Sequence, residues 1–293
     1  MATSLIATLI ANPARPALDA EALGRAGAVL GGTPRILAEG VAAEFAVLGG
    51  AGDLDGRLRQ ALAGLPLDVA VLPAEGRRKR LFLADMDSTM IEQECIDELA
   101  DFVGLKPEVS AITERAMRGE IAFEPALRER VALLRGLPVD IVEEIITERI
   151  TLTPGGRELV QTMRRDGAYT CLVSGGFTIF TGPIGEMIGF QEHRSNTLLT
   201  EGDVLAGRVA EPILGKEAKL ATLVELRDKL GLAAADVLAV GDGANDLAML
   251  AEAGIGVAFH AKPAVAAAAH VRIDHGDLTA LLYLQGYRRA EFA

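Results

Sequence analysis

Residues 81–90 read LFLADMDSTM, an apolar run that leads into two acids on either side of a methionine. The segment LFLA is typical of a strand buried on both faces, as in a parallel sheet covered by helices. Asp85 and Asp87 follow at its carboxyl end, and ligands of open α/β sheets bind beyond the carboxyl ends of the strands. The stretch therefore predicts an α/β fold with an acidic site at one edge of its sheet.

Two later apolar segments end in the same way. AYTCLVS (168–174) is predicted to be a strand that stops at Gly175-Gly176, and VLAVG (237–241) is predicted to be a strand that leads into DGAND (242–246). Helical segments alternate with these strands, which predicts a Rossmann-like parallel-sheet core. The three polar clusters should then lie close together, although they are far apart in the sequence.

The pattern of elements divides the chain into several parts. Before residue 74 the order is β-α-β-β-α-β, which is the ferredoxin-like arrangement. After the first core strand the sequence is almost wholly helical, which indicates a cap inserted into the core. The predicted parts are a ferredoxin-like domain at 1–73, a linker at 74–80, a core at 81–91 and 151–293, and a helical cap at 92–150.

Composition and net charge disfavour several classes of protein. The formal net charge of −12 disfavours binding to nucleic acid or to an anionic membrane surface, because both reward clustered lysine and arginine. Only two cysteines occur, which excludes a disulfide framework and fits a reducing cytoplasm. The first residues lack the basic and apolar regions of a signal peptide, so we expect a cytoplasmic protein.

The polar clusters carry the parts for phosphoryl transfer. Carboxylates brought close together raise one another's pKa, and a divalent metal such as Mg²⁺ offsets that repulsion with oxygen ligands. A lone aspartate after a strand is more often a helix cap, but two separate clusters weaken that interpretation. The Ser174-Gly175-Gly176 turn can hold an anion, and Lys219 can neutralise developing charge. EF-hand, dinucleotide and P-loop patterns all fail at required positions.

Four motifs occur in the order of a known superfamily: DMDST (85–89), VSGGF (173–177), the K-x-x-K pair (216–219) and GDGANDLAML (241–250). They resemble the motifs of the haloacid dehalogenase superfamily. Within it, residues 80 to about 290 resemble the phosphoserine phosphatase family, including MRGEIAFEPALRERVALLRGLP (117–138). The resemblance implies Mg²⁺-dependent hydrolysis of O-phospho-L-serine through a phosphorylated aspartate, the last step of serine biosynthesis.

The resemblance also implies a role for each matching residue. Asp85 would be the nucleophile, Asp87 the acid and base, and Lys219 the cation that steadies the phosphate. Ser174, Gly175 and Asn245 would contact the phosphate or line its pocket. The metal ligands would be Asp85, the backbone carbonyl of Asp87 and Asp242, with Asp246 supporting them.

Substrate selection is expected in the cap. Phe123, Leu127, Val131 and Leu134 form an apolar stripe, and Arg130 interrupts it with a guanidinium that can clamp a carboxylate or simply extend to solvent. Judged by helical periodicity alone, Glu94 is expected to lie on a solvent-exposed face of its helix. The resemblance implies that Glu94 binds the ammonium group of the substrate and that Arg130 binds its carboxylate. Met117 and Phe123 would form the walls of the pocket.

Residues 1–73 are similar to ACT-type amino-acid-binding domains, which implies a regulatory or homodimerising role, although Ala17 follows Pro16 where such domains usually have glycine. Two alternatives to the phosphatase stay open. The phosphate on aspartate could pass to an amino-alcohol acceptor such as homoserine. A non-catalytic amino-acid sensor is the second alternative, but a sensor has no need for the acidic clusters and Lys219.

Overall fold

A computed structural model describes residues 4–47, 53–118 and 120–293, apart from the side chain of Met117. It contains a four-stranded sheet near the N-terminus, a six-stranded sheet and a two-stranded hairpin. The predicted α/β fold is confirmed. In the described ranges no helix is both long and apolar enough to cross a membrane.

The N-terminal unit has the element order β-α-β-β-α-β that was predicted. Its elements are β1 (Leu5–Ala11), α1 (Ala20–Leu30), β2 (Arg35–Ala38), β3 (Ala42–Val47), α2 (Leu54–Ala61) and β4 (Leu67–Pro73). The strands are antiparallel in the order β2-β3-β1-β4. Asp19 and Asp53 begin the two helices by accepting hydrogen bonds from backbone N–H groups of the first turns. The unit has its own core between sheet and helices, in which Phe45 packs among aliphatic side chains.

The six-stranded sheet is parallel and contains the segment LFLA at its centre. Its strands are β5 (Leu81–Ala84), β6 (Tyr169–Phe177), β7 (Glu192–Asn196), β10 (Val237–Gly241), β11 (Ile255–Phe259) and β12 (Val271–Ile273). The order is β12-β11-β10-β5-β6-β7, so β5 pairs with β10 on one side and β6 on the other. All four residues of β5 are fully buried, as the continuous apolar run predicted.

Helices fill the cap and cover the sheet. The cap helices are α3 (Cys95–Phe102), α4 (Lys106–Met117), α5 (Phe123–Leu133) and α6 (Ile141–Glu148). The helices of the core are α7 (Gly156–Arg165), α8 (Thr178–Ile188), α9 (Lys216–Lys229), α10 (Leu247–Glu252), α11 (Pro263–Ala268) and α12 (Ala280–Leu284).

Two regions differ from the predicted pattern. Strand β6 continues to Phe177 rather than stopping at the two glycines, because Phe177 pairs with Asn196 of β7 beyond a break in register. The sequence analysis gave no elements for 178–209, where α8 and β7 lie together with the hairpin β8 (Leu198–Glu201) and β9 (Val204–Val209). These short strands lack a clear apolar alternation, and the hairpin is held against the cap by long-range pairing such as Pro138 with Val204.

Candidate active site

The ends of β5, β6 and β10 meet at one crevice. Asp85 directly follows β5, Asp242 directly follows β10, and Ser174 lies near the end of β6. Because the three strands are parallel neighbours, their polar ends share one edge of the sheet. A cavity of about 560 Å³ opens there between the core and the cap, and these three residues line it.

Lys219 joins two of the acids in a buried ion network. Its Nζ lies 2.7 Å from Asp85 Oδ2 and 2.6 Å from Asp246 Oδ1, and only 3% of the Lys219 side chain is exposed. Burial strongly raises the pKa of Asp85, while Lys219 opposes that effect. Burial would lower the pKa of Lys219, but the two carboxylates outweigh it and raise that pKa. The lysine therefore stays charged between its partners.

The carboxylates outnumber the cation that balances them. Oxygen atoms of Asp85, Asp242 and Asp246 lie within 4.8 Å of one another, close enough to share one metal ion. Both carboxylate oxygens of Asp246 already accept hydrogen bonds: Oδ1 accepts from Lys219, and Oδ2 accepts from the N–H of Gly243. Hard oxygen donors with excess negative charge suit a divalent cation such as Mg²⁺. The donor set therefore fits a metal site.

Asp87 stands beside the nucleophile candidate on the wide turn Met86–Met90. Its Oδ1 accepts from the backbone N–H of Cys95 at 2.9 Å, and its Oδ2 accepts from Ser174 Oγ at 3.2 Å. Burial raises the pKa of Asp87 above its usual value. A carboxyl group held in place with a raised pKa is suited to give and take a proton.

The turn after Ser174 needs its second glycine. The N–H of Gly176 donates to Ser174 Oγ at 2.8 Å. A Cβ atom on Gly176 would lie 3.0 Å from Ser174 Oγ and 3.2 Å from Asp87 Oδ2, which is tighter than ordinary contact. The glycine therefore lets the turn approach the acid, as a backbone anion site requires.

Asn196 supports this turn and was missed in the sequence analysis. Its Nδ2 donates to the carbonyl of Gly175 at 2.9 Å and to that of Leu214 at 3.2 Å, and its Oδ1 accepts from the N–H of Leu214 at 2.7 Å. The buried amide thus ties the Ser174 turn to the segment that precedes α9, the helix of Lys219. An asparagine at the end of a short polar strand gave no local signal of this role.

Glu94 and Arg130 line the same crevice from the cap. Ser88 Oγ donates to Glu94 Oε1 at 2.7 Å. Burial among surrounding atoms, together with the charge of Asp87, raises the pKa of Glu94 to about 7. Arg130 donates long hydrogen bonds to the carbonyl of Ala126, at 3.3 Å, and to Thr113 Oγ1, at 3.4 Å, and no acid in the described ranges forms an ion pair with it. Its charge is therefore available to an anionic group in the crevice.

Phe123 departs from the predicted apolar stripe. Leu127, Val131 and Leu134 are buried as that stripe requires, but Phe123 exposes 43% of its surface. Its ring lies over the glycine turn, 3.8 Å from the position of a Cβ on Gly175. It forms a wall of the crevice between cap and core. The side chain of Met117, the other predicted wall, lies outside the described part of the chain.

The remaining candidates divide between the crevice and the structure around it. Asn245 lines the crevice, and so does Lys262, to which the sequence analysis gave no chemistry. Thr89 braces the site by donating to Asp242 Oδ1 at 3.2 Å. Lys216 is exposed, as expected of a surface charge, and Cys95 is a buried free thiol.

Comparisons with known proteins agree with this geometry. Residues 82–251 match the sequence profile of the haloacid dehalogenase-like hydrolase family. The chain belongs to the haloacid dehalogenase-like hydrolase family. The matched range contains β5 from its second residue onward, the cap and the three strand ends that meet at the crevice. The predicted superfamily is thus confirmed, and the protein is a hydrolytic enzyme rather than a non-catalytic sensor.

Three known proteins illustrate the likeness. The chain is 45% identical over 226 residues to a phosphoserine phosphatase of Polaromonas, a match that covers 75% of the chain and 96% of the relative. A solved structure of a probable phosphoserine phosphatase from Vibrio cholerae is 32% identical with a TM-score of 0.80, over 99% of this chain and 88% of that one. A phospho-aspartyl intermediate analogue of phosphoserine phosphatase is 39% identical with a TM-score of 0.64, over 70% of this chain and 98% of that one.

Proposed function

We propose that this hydrolase is a Mg²⁺-dependent phosphoserine phosphatase that forms a phosphorylated Asp85 as its intermediate. One observation carries the proposal: the buried Asp85–Lys219–Asp246 network shares a crevice with Glu94 and Arg130. The network suits phosphoryl transfer, and the charged pair on the cap suits an amino-acid substrate.

The metal would be held by Asp85, the backbone carbonyl of Asp87 and Asp242, with Asp246 supporting the group through Lys219 and Gly243. When bound, Mg²⁺ offsets the negative charge of the carboxylates and of the phosphate that approaches them. The excess of carboxylates over lysine supports this assignment.

The first half of the reaction transfers phosphate to the protein. A carboxylate oxygen of Asp85 attacks phosphorus, and the bond between phosphorus and the seryl oxygen breaks. Asp87 gives its proton to that oxygen, so that neutral serine hydroxyl leaves. The raised pKa of Asp87 supports its being protonated at this stage.

The second half releases phosphate. Asp87, now a carboxylate, takes a proton from water, and the water oxygen attacks phosphorus. The acyl-phosphate bond breaks and Asp85 is regenerated as a carboxylate. Lys219 neutralises the charge that develops on the phosphoryl oxygens, and Ser174 and Gly175 hold that group with hydroxyl and N–H donors, beside Asn245.

Recognition of the amino-acid part belongs to the cap. Arg130 would pair with the substrate carboxylate and Glu94 with the ammonium, while Phe123 would exclude water beside the serine carbon. The lack of an acidic partner for Arg130 in the described ranges supports this role. The two charges select a zwitterionic phosphomonoester over a simple alkyl phosphate.

The test is phosphate release from L-phosphoserine with Mg²⁺, compared between wild type and Asp85→Asn. We expect release by wild type only, since the amide cannot form the intermediate. Equal release by both proteins would rule out Asp85 as nucleophile. Adding homoserine to the assay tests the transferase alternative, because phosphohomoserine would then form in place of free phosphate.

The proposal extends to the remaining predictions from the sequence. We propose the division into 1–73, 74–80, 81–91 with 151–293, and 92–150, an ACT-like homodimerising role for 1–73, and a cytoplasmic location. Free buried thiols at Cys95 and Cys171 support a reducing compartment. A mass from sedimentation equal to one chain would overturn the homodimer.

A further inference from the structure

Ser88 follows the proposed acid and base, Asp87, on the wide turn after β5, and the mechanism above gives it no role. Its two neighbours have partners at the ends of other strands of the sheet. Asp87 accepts a hydrogen bond from Ser174, and Thr89 donates one to Asp242. The side chain of Ser88 points elsewhere, to the cap.

The hydroxyl of Ser88 holds one carboxylate oxygen of Glu94. Ser88 Oγ donates to Glu94 Oε1 at 2.7 Å, the short distance typical of a hydroxyl bonded to a carboxylate. Glu94 is the N-cap residue of α3 and lines the catalytic crevice. In the described ranges its carboxylate accepts no other hydrogen bond. The contact therefore fixes Oε1 and leaves Oε2 for a group that enters the crevice.

Ser88 makes this contact from a strained backbone. Its φ is 54° and its ψ is 8°, in the positive-φ region that glycine adopts freely and that serine adopts only at a cost. Such conformations persist where the surrounding structure enforces them, often at functional sites. Glycine would fit this backbone without strain but has no hydroxyl. The serine at this position is therefore explained by its side chain and not by its backbone.

The turn holds Ser88 in a fixed position. The N–H of Ser88 donates to the carbonyl of Gln93 at 3.2 Å. Gln93 is itself tied to the segment that returns from the cap, because its Oε1 accepts from the N–H of Thr151 at 2.9 Å. The hydroxyl is thus a fixed point to which the longer side chain of Glu94 is bonded.

Glu94 needs such a restraint because its surroundings are negative. Burial and, after it, the charge of Asp87 raise the pKa of Glu94, and Asp242 adds to the effect. The same repulsion favours rotamers that turn the carboxylate away from the crevice, and a free glutamate side chain has many rotamers available. The bond from Ser88 opposes that movement.

We propose that Ser88 is a positioning residue that orients Glu94 toward the ammonium of the substrate and thereby strengthens the preference for an amine-bearing phosphomonoester. The inference rests on the proposed phosphatase function and deepens it. Ser88 makes no bond to the phosphate, the metal or the substrate. It acts by holding Oε1 of Glu94, so that Oε2 faces the ammonium nitrogen.

Steady-state kinetics of Ser88→Ala with O-phospho-L-serine test this role, together with inhibition by 3-phosphoglycerate, which has a hydroxyl in place of the ammonium. Alanine removes the side-chain hydroxyl and keeps the backbone strain. We expect KM for phosphoserine to rise about fivefold, the effect of one hydrogen bond to a charged group that water partly replaces. The value of kcat should stay within about twofold, and Ki for 3-phosphoglycerate should not rise, because neither depends on holding the ammonium.

A double variant shows whether Ser88 acts through Glu94. Adding Ser88→Ala to Glu94→Ala should leave KM where Glu94→Ala alone places it, since effects of residues in direct contact are not additive. Ser88→Gly should match Ser88→Ala in KM but unfold at a higher urea concentration, because glycine relieves the strained φ. Ser110→Ala is the matched control: Ser110 lies on the cap helix α4, does not line the crevice, and should leave KM unchanged.

Circular dichroism checks that each variant is folded, and Ser88→Gly carries the same kinetic comparison if Ser88→Ala does not fold. An unchanged KM for phosphoserine, an equal weakening of 3-phosphoglycerate, or an additive loss in the double variant overturns the inference, because Ser88 would then be a structural link only. Absence of phosphoserine turnover by wild type would instead overturn the proposed function, and this inference with it. The two failures are therefore distinguishable.

Discussion

Replacing Lys219 with methionine tests the buried network directly. Methionine keeps the length and apolar stem of the side chain but removes the cation that lies 2.7 Å from Asp85 and 2.6 Å from Asp246. Removing one partner of a buried ion pair costs about 3–5 kcal/mol, because the remaining charge is left uncompensated. Asp85 can relieve part of this by taking up a proton, since its pKa is already raised. We therefore expect the free energy of unfolding to fall by about 3 kcal/mol, near the lower end of that range.

The assay is urea unfolding with a metal chelator present, in parallel with phosphate release in Mg²⁺. Lys216→Met is the control, because Lys216 begins the same helix yet exposes 72% of its side chain. It should change the free energy of unfolding by less than about 0.5 kcal/mol. Lys219→Met should also lose about 10²- to 10³-fold in turnover, as happens when a preorganised donor to a developing anion is removed.

Three results would refute all or part of this reasoning. A loss of stability no larger than that of Lys216→Met would mean that water or a proton already satisfies the two acids. Normal turnover in a stably folded Lys219→Met protein would mean that the cation does not face the reacting phosphate. Loss of stability with normal turnover would leave Lys219 a purely structural residue.

Three further predictions follow from the site. Glu94→Gln should abolish the rise in kcat/KM that wild type shows as pH increases through about 7, because only ionised Glu94 attracts the ammonium. For stability the sign is opposite, because ionising a group whose folded pKa is raised destabilises the fold. Wild type should therefore lose stability between the ordinary carboxylate pKa and about 7, and the variant should lose less over the same range, since only the contribution of Glu94 is removed. Asn196→Ala should cost about 1–3 kcal/mol in urea unfolding, because it strips partners from buried backbone groups, and should lower kcat. Chelation of divalent metal should stop phosphate release and added Mg²⁺ should restore it; activity that survives exhaustive chelation would contradict the metal site built on Asp242.

The sheet and its polar edge could be predicted because they follow from local rules. A short apolar run such as LFLA, bounded by polar residues, favours a strand buried on both faces, and the parallel order then brings Asp85, Ser174 and Asp242 together. Each step uses only neighbouring residues and the direction of the chain. The predicted fold class rests on these steps and is confirmed.

The hydrogen bonds that hold this edge of the sheet in place could not be predicted in this way. Asn196 ends a strand, EHRSN, in which no residue pattern separates a buried face from an exposed one, yet its amide fixes Gly175 and Leu214. The same segment escaped assignment as a strand at all. A side chain whose partners are two distant backbone groups leaves no periodic signal, since its burial depends on how separate elements pack.

The cap limits prediction for a related reason. Helical periodicity tells which residues share a face of one helix, but it cannot tell which faces of two helices enclose a ligand. Glu94 therefore looked like a solvated charge and Arg130 like an interruption of a stripe, and only the closure of cap on core gives them a common crevice. The proposed nucleophile Asp85 and its cation Lys219 lie on the sheet side of that crevice, and the proposed amino-acid contacts Glu94 and Arg130 lie on the cap side. Changes in the cap should accordingly alter which phosphomonoester is accepted while leaving the formation of a phosphorylated Asp85 intact.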